Sequence, residues 1–323
     1  MTSTSPSRSA ADARRGEPGA PDDAYTVKVD HVTKRYGDNT VVDDLSFAVG
    51  PGLVTGFLGP NGSGKSTTMK IMLDLAAANQ GGATIGGHRY RELADPARTV
   101  GAMIESDAFH PGRSGRNHLR ILADATGIPH SRVDEMLEQV GLAAAANRKV
   151  GGYSLGMRQR LGLAGALMGE PAVLILDEPG NGLDPQGIRT LRDLLRSHAA
   201  QGGTVFVSSH LLSEMEHLAD DVVVINRGRL VTHGSLAELQ QAAALVRTAE
   251  PGRLAAELER AGATTQGHGP DGLVVRGMAL DEIGERAFAA GAALHELSPH
   301  AGSLEELFLE WTDGSADDEE VER

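Results

Sequence analysis

The 323-residue sequence contains no cysteine, which excludes a disulfide framework, a thiolate nucleophile and a cysteine zinc site. It also lacks a long apolar run. Its most apolar stretch, residues 161–176, is interrupted by Gly162, Gly165, Gly169, Glu170 and Pro171 and falls short of the ~20 residues of a membrane span, so a soluble chain is expected. The first two dozen residues have no apolar segment of a secretory signal, and Asp12, Glu17, Asp22 and Asp23 are out of place in a transit peptide. Residues 1–24 are therefore expected to be a disordered extension, and the cytoplasm is the expected location. Positive charge is scarce as well: 30 Lys and Arg face 44 Asp and Glu, for a net charge of −14 and a pI near 5.3. Such a chain repels phosphate backbones at long range, and no nucleic-acid partner is expected.

What is present is enough chain for one large core and a smaller appendage. Residues 26–30 alternate as a half-buried strand, and 40–49 continue the β-rich start. A short apolar run, 53–58, leads into a glycine-rich segment, followed by a helix expected over 66–78. From about 95 to 170 the text turns helical, with helices expected over 116–125, 131–140 and 155–168. Strand patterns return at 173–176, 204–208 and 222–226, with a helix over 185–199, and this alternation implies a parallel sheet covered on both faces. Residues 241–312 read as a small α/β accessory domain in which Leu304, Leu307, Phe308 and Trp311 supply its own core, and 313–323 as an acidic, solvated tail.

Gly59-Pro60-Asn61-Gly62-Ser63-Gly64-Lys65-Ser66-Thr67 satisfies the phosphate-loop pattern between an expected strand and helix. Glycines let successive N–H groups turn toward phosphate oxygens, and the helix adds the positive end of its dipole. Lys65 is placed to reach the β- and γ-phosphates of ATP, and the Ser66 hydroxyl to ligate Mg²⁺, a cation that prefers oxygen donors. The apolar strand 173–176 ends in Asp177 and Glu178, which alternation sends to opposite sides of the strand end. Two acids can then take two roles: Asp177 as a ligand of hydrated Mg²⁺, and Glu178 as the group that polarises the attacking water.

The order of these segments resembles the nucleotide-binding subunits of ABC transporters over residues 25–240. The resemblance implies a P-loop ATPase cassette of α/β class: a parallel-sheet core with an N-terminal antiparallel β region and a helical insert at about 95–170. It places Tyr36 where the family stacks an aromatic on adenine. Tyr153-Ser154-Leu155-Gly156-Met157 is similar to the family signature, keeping the serine and second glycine at a helix start and departing at three of five positions. Asn181-Gly182-Leu183-Asp184 matches the loop whose aspartate lies across a dimer interface, and His210 matches a histidine that senses the γ-phosphate. Glu105 stands where most of the family has glutamine, which would add a carboxylate near Mg²⁺.

In the family one active site combines the phosphate loop of one subunit with the signature of another. The resemblance therefore implies a homodimer enclosing two ATP molecules and a separate membrane permease driven by it. The wording of residues 153–160, the Glu105 loop and the segment Ser303-Leu304-Glu305-Glu306-Leu307-Phe308 resemble the bacitracin- and daunorubicin-resistance exporters, pointing to export of a small molecule. Two other classes compete. A non-transport ABC ATPase acting on a soluble partner such as the ribosome usually carries two cassettes or a long coiled coil, and here there is one phosphate loop without sustained heptads. A binding module without turnover would not need Glu178 and His210.

Overall fold

A computed structural model describes residues 24–104, 109–241, 243–300 and 303–313. The readings of an amino-terminal extension, of an acidic tail after 313 and of Glu105 fall outside these residues. The chain starts with β1 (Val27–Tyr36) and β2 (Asn39–Val49), an antiparallel pair that β4 (Gln80–Ile85) extends on the other side of β1. Between β2 and β4 run β3 (Val54–Leu58) and α1 (Lys65–Met72). After α2 (Pro96–Thr99) and β5 (Val100–Met103) come three helices, α3 (Gly115–Thr126), α4 (Ser131–Gln139) and α5 (Leu155–Leu167). The chain then returns to sheet and helix as β6 (Val173–Leu176), α6 (Pro185–Ala200), β7 (Thr204–Ser208), α7 (Leu212–Leu218), β8 (Asp221–Asn226) and β9 (Arg229–Ser235).

The main sheet has the order β5-β6-β7-β3-β8-β9, parallel except for β9. Every residue of β3, β6 and β7 is buried, which explains why these strands read as continuous apolar runs. One face packs on the antiparallel sheet through Phe47, Phe57 and Phe206, whose ring centroids lie 4.9–5.6 Å apart. The other face packs on the helices, with Leu119, Leu137, Leu161, Leu174 and Leu195 in a single cluster. The expected α/β architecture, parallel core and antiparallel start included, is what forms.

Three local expectations are corrected. The first helix stops at Met72 rather than 78 because Asp74 adopts φ +54° and its carboxylate accepts hydrogen bonds from the Arg91 amide and guanidinium at 2.9–3.1 Å. Within the stretch read as helical, Val100–Met103 is an edge strand, in register with Val173–Leu176. A four-residue strand next to a one-turn helix carries too little periodicity to be separated by pattern.

The third correction concerns the C-terminal region: α8 (Leu236–Gln241), β10 (Ala243–Thr248), α9 (Pro251–Arg260), β11 (Thr264–His268), β12 (Gly272–Arg276), α10 (Leu280–Ala289), β13 (Leu294–His300) and α11 (Leu304–Asp313). Its antiparallel sheet β11-β12-β10-β13 has a cluster of its own, centred on Val246, Leu254, Leu258, Val275 and Ile283. Leu304 does not join it. Leu304 is fully buried in the main core cluster, with Phe308 packed against it. The physical reason is Glu216 on α7, whose Oε1 accepts from the Leu304 amide at 3.2 Å and from Gln240 Nε2 at 2.7 Å, pinning the start of α11 to the large domain.

Candidate active site

The turn between β3 and α1 is fixed by glycine. Gly64 has φ +104°, and a Cβ there would stand 2.6 Å from the Val41 carbonyl, so only glycine lets the loop close against β2. The Gly228 amide, in the β8–β9 turn, donates to the Ser63 carbonyl at 3.0 Å, and Gly228 O accepts from Asp43 N at 2.9 Å, so the loop is braced from a second side. Lys65 is buried, and its ammonium donates to the Gly59 and Pro60 carbonyls at 2.6 and 3.1 Å. Burial lowers the Lys65 pKa, and the nearby charges of Glu178 and Asp177 oppose that shift. The Ser66 hydroxyl sits on the exposed side of α1, while Ser63 Oγ is buried without a hydrogen-bond partner.

The carboxylates come from the end of β6. Asp177 N continues the ladder by donating to Met103 O at 2.7 Å, and its Oδ1 accepts from the Ser208 hydroxyl at 2.5 Å. The same hydroxyl accepts from the Glu178 amide at 2.9 Å. Glu178 is not extended: it has φ +50°, a left-handed conformation costing ~1–3 kcal/mol in a residue with a side chain. The two acids are thus separated by a backbone reversal at Glu178 rather than by strand alternation. The reversal delivers Glu178 Oε2 to His210, whose Nδ1 lies 2.7 Å away and whose amide donates at 3.3 Å.

A second group of expected site residues lies at two helix starts. Ser154 caps α5, its Oγ accepting from Met157 N at 3.2 Å. Gly156 packs so closely on the next loop that a Cβ would meet Gly182 O at 2.5 Å. Asp184 caps α6 through Gly187 N at 3.0 Å and accepts from Arg160 Nη2 at 2.8 Å. Among the described residues none of these three hydrogen-bonds to the phosphate loop. Tyr36 ends β1 with its ring half exposed and the Lys34 ammonium 4.7 Å from the ring centre, so it is no core residue.

Sequence reasoning missed Ser208 and Gln159. Ser208 joins the Asp177 carboxylate to the Glu178 amide, and its trace in the sequence is a hydroxyl closing an apolar strand just before His210. Gln159, buried on α5, donates to Glu178 O. An oxygen-only donor set of Ser66 and Asp177 fits Mg²⁺, which takes few protein ligands and keeps waters and phosphates for the rest. The described residues hold no cluster of three or more His, Asp or Glu able to form a metal cage. Beside β5 an apolar groove of about 680 Å³ opens between α3 and α5, lined among others by Leu75, Tyr90, Ile104, Phe109 and Leu122.

Residues 42–181 match the model of the ABC transporter family, and residues 242–305 match a domain of unknown function. The bacitracin transport ATP-binding protein BcrA of Enterococcus faecalis is 42% identical over 220 residues, 67% of this chain and 71% of that protein. An uncharacterized ABC transporter ATP-binding protein of Bacillus subtilis, YdbJ, is 36% identical over 88% of this chain and 94% of its own length. The lantibiotic transport ATP-binding protein SrtF of Streptococcus pyogenes is 38% identical over 64% of this chain and 89% of its own. Among solved structures, an ATP-binding subunit of an ABC transporter superposes with a TM-score of 0.61 at 27% identity, over 66% of this chain and 91% of that one. The dimeric ATP-binding cassette MJ0796, bound to ADP and Pi, has a TM-score of 0.59 at 22% identity, over 65% of this chain and 98% of that one, and so shares the fold.

Proposed function

The chain belongs to the family of ABC transporter ATP-binding subunits, and from that premise we propose that it hydrolyses ATP at the Lys65–Glu178 site to drive export of a small molecule through a separate membrane permease. The observation that carries this reading is the Ser208 hydroxyl, which fixes Asp177 and the Glu178 backbone beside a loop whose lysine donates to two loop carbonyls. Lys65 is then free to exchange the Gly59 and Pro60 carbonyls for the β- and γ-phosphate oxygens, and the Gly59–Thr67 loop supplies backbone donors. Bound by Ser66, Asp177 and the phosphates, Mg²⁺ would neutralise charge on the β- and γ-oxygens.

In the hydrolytic step a water oxygen forms a bond to the γ-phosphorus while the bond to the β-γ bridging oxygen breaks, and ADP leaves. Glu178 orients that water and accepts its proton, with His210 holding the carboxylate at 2.7 Å and facing the γ-phosphate. Tyr36 stacks on the adenine. Ser154, Gly156 and Asp184 act on the nucleotide of a second copy, in keeping with the partners they have in their own chain, none of them in the phosphate loop among the described residues. Two copies thus close over two ATP molecules, and loss of the γ-phosphate shifts the population toward the open pair.

No helix among the described residues is long and apolar enough to cross a membrane. The membrane path belongs to the permease, and the apolar groove beside β5 is its docking place at the inner face of the membrane. The bacitracin and lantibiotic names of the relatives support an antibiotic-type cargo. The test is affinity purification of Glu178→Gln with ATP and Mg²⁺ from detergent-solubilised native membranes. A polytopic membrane protein in about equal amount is expected. Co-elution of ribosomal or other soluble partners, with no membrane protein, would overturn the transport reading.

A further inference from the structure

Gln159 is 2% exposed, on α5 one helical turn beyond the Ser154 cap. Its Nε2 donates to the Glu178 carbonyl at 3.4 Å, while its Oε1 is buried with no hydrogen-bond partner. A buried amide acceptor left unpaired destabilises a fold, and an aliphatic side chain of the same volume removes that cost. The amide's gain lies in its hold on Glu178. That residue sits at φ +50°, a conformation its own side chain disfavours and its surroundings must impose. Ser208 grips the residue from its amide side. On the carbonyl side the Asn181 amide donates to the same oxygen at 3.2 Å, and a cavity of about 210 Å³ lies under Pro179 and Leu183, between α5 and α6, so close packing does not fix the segment there and Gln159 supplies the bond that reaches Glu178 from outside its own turn.

We propose that Gln159 is a positioning residue for hydrolysis, holding the left-handed Glu178 backbone so that its carboxylate meets the attacking water. The proposal rests on the reading of Glu178 as the proton acceptor. It goes further in tying α5, whose start serves the partner's nucleotide, to the carboxylate that serves the chain's own. Closure of one composite site is thereby reported to the base of the other through a single buried amide.

The experiment compares wild type with Gln159→Leu and Gln159→Met, measuring kcat, KM for ATP and thermal midpoint, and places Gln159→Leu on a Glu178→Gln background. The expected result is a kcat lowered about tenfold, in line with the cost of displacing a reacting group by a fraction of an ångström, with KM unchanged within about twofold. The thermal midpoint should be equal or higher, because an orphan acceptor has gone. On the Glu178→Gln background the leucine should remove no further rate, since Gln159 acts through Glu178. Unchanged kcat in both variants would overturn the proposal. So would activity that falls only in step with the thermal midpoint, or a full tenfold additional loss on the Glu178→Gln background. A wild-type chain without ATPase activity would instead remove the underlying reading, before any variant is compared.

Discussion

His210 Nδ1 stands 2.7 Å from Glu178 Oε2, and the His210 amide binds the same oxygen at 3.3 Å. The two residues are 32 positions apart, brought together because β6 and β7 are parallel neighbours whose C-terminal ends share one edge of the sheet. Ligands of open α/β sheets bind outside those strand ends, where backbone and side chains converge without blocking one another.

Glu178→Gln keeps the shape of the side chain and removes its basicity. Turnover should fall by at least ~10²-fold while ATP binding persists, as expected for loss of a proton acceptor. Steady-state phosphate release and nucleotide binding, measured side by side, check this; near-normal release would return Glu178 to a structural role.

Ser208→Ala strips Asp177 Oδ1 of its donor and leaves the part-buried Glu178 amide unpaired. Stability should drop by about 1–3 kcal/mol. The Mg²⁺ concentration needed for half-maximal ATPase activity should rise, because a freely rotating carboxylate is a poorer ligand. A Mg²⁺ titration of activity reads the second effect apart from the first.

Tyr36→Ala should weaken ATP affinity several-fold with little change in the saturated rate, since stacking on adenine binds ground and transition states alike. The half-exposed ring has no core to lose, so the thermal midpoint should stay put. An unchanged KM would dismiss the stacking role.

Burial lowers the pKa of His118, with the Arg113 charge adding to it, and burial likewise lowers that of His198 against the hydrogen bond its ring donates to Ala172 O. Above the ordinary histidine value of about 6.5 both rings are neutral folded or unfolded and contribute nothing to the pH dependence. As pH falls below it, the unfolded chain takes up protons the fold resists, and stability declines until the folded pKa is passed. Thermal midpoints of wild type and His118→Asn/His198→Asn at pH 7.5 and 5.5 should show a smaller acid loss in the variant.

Contiguous signals made much of this site legible in the sequence. The loop 59–67, the apolar strand before Asp177 and the helix caps at Ser154 and Asp184 are written in adjacent residues, whose pattern can be recognised without knowing their distant partners. What stayed hidden depends on partners far along the chain. Ser208 meets Asp177 and Glu178 across 31 and 30 positions, and Gln159 meets Glu178 across 19. Leu304 could not be assigned to its core from periodicity, since its register is set by a single carboxylate 88 positions earlier. The end of α1 likewise follows from Asp74 meeting Arg91, a pairing no helical pattern announces.

Whether a second copy completes the catalytic site is decided by the mass of Glu178→Gln in solution, measured by light scattering with and without ATP and Mg²⁺. Twice the 33.8 kDa of one chain is expected only when both are present, with loss of that species when Ser154 is also changed to Arg. A single-chain mass at saturating ATP, or a dimer indifferent to nucleotide and to Ser154, would contradict it.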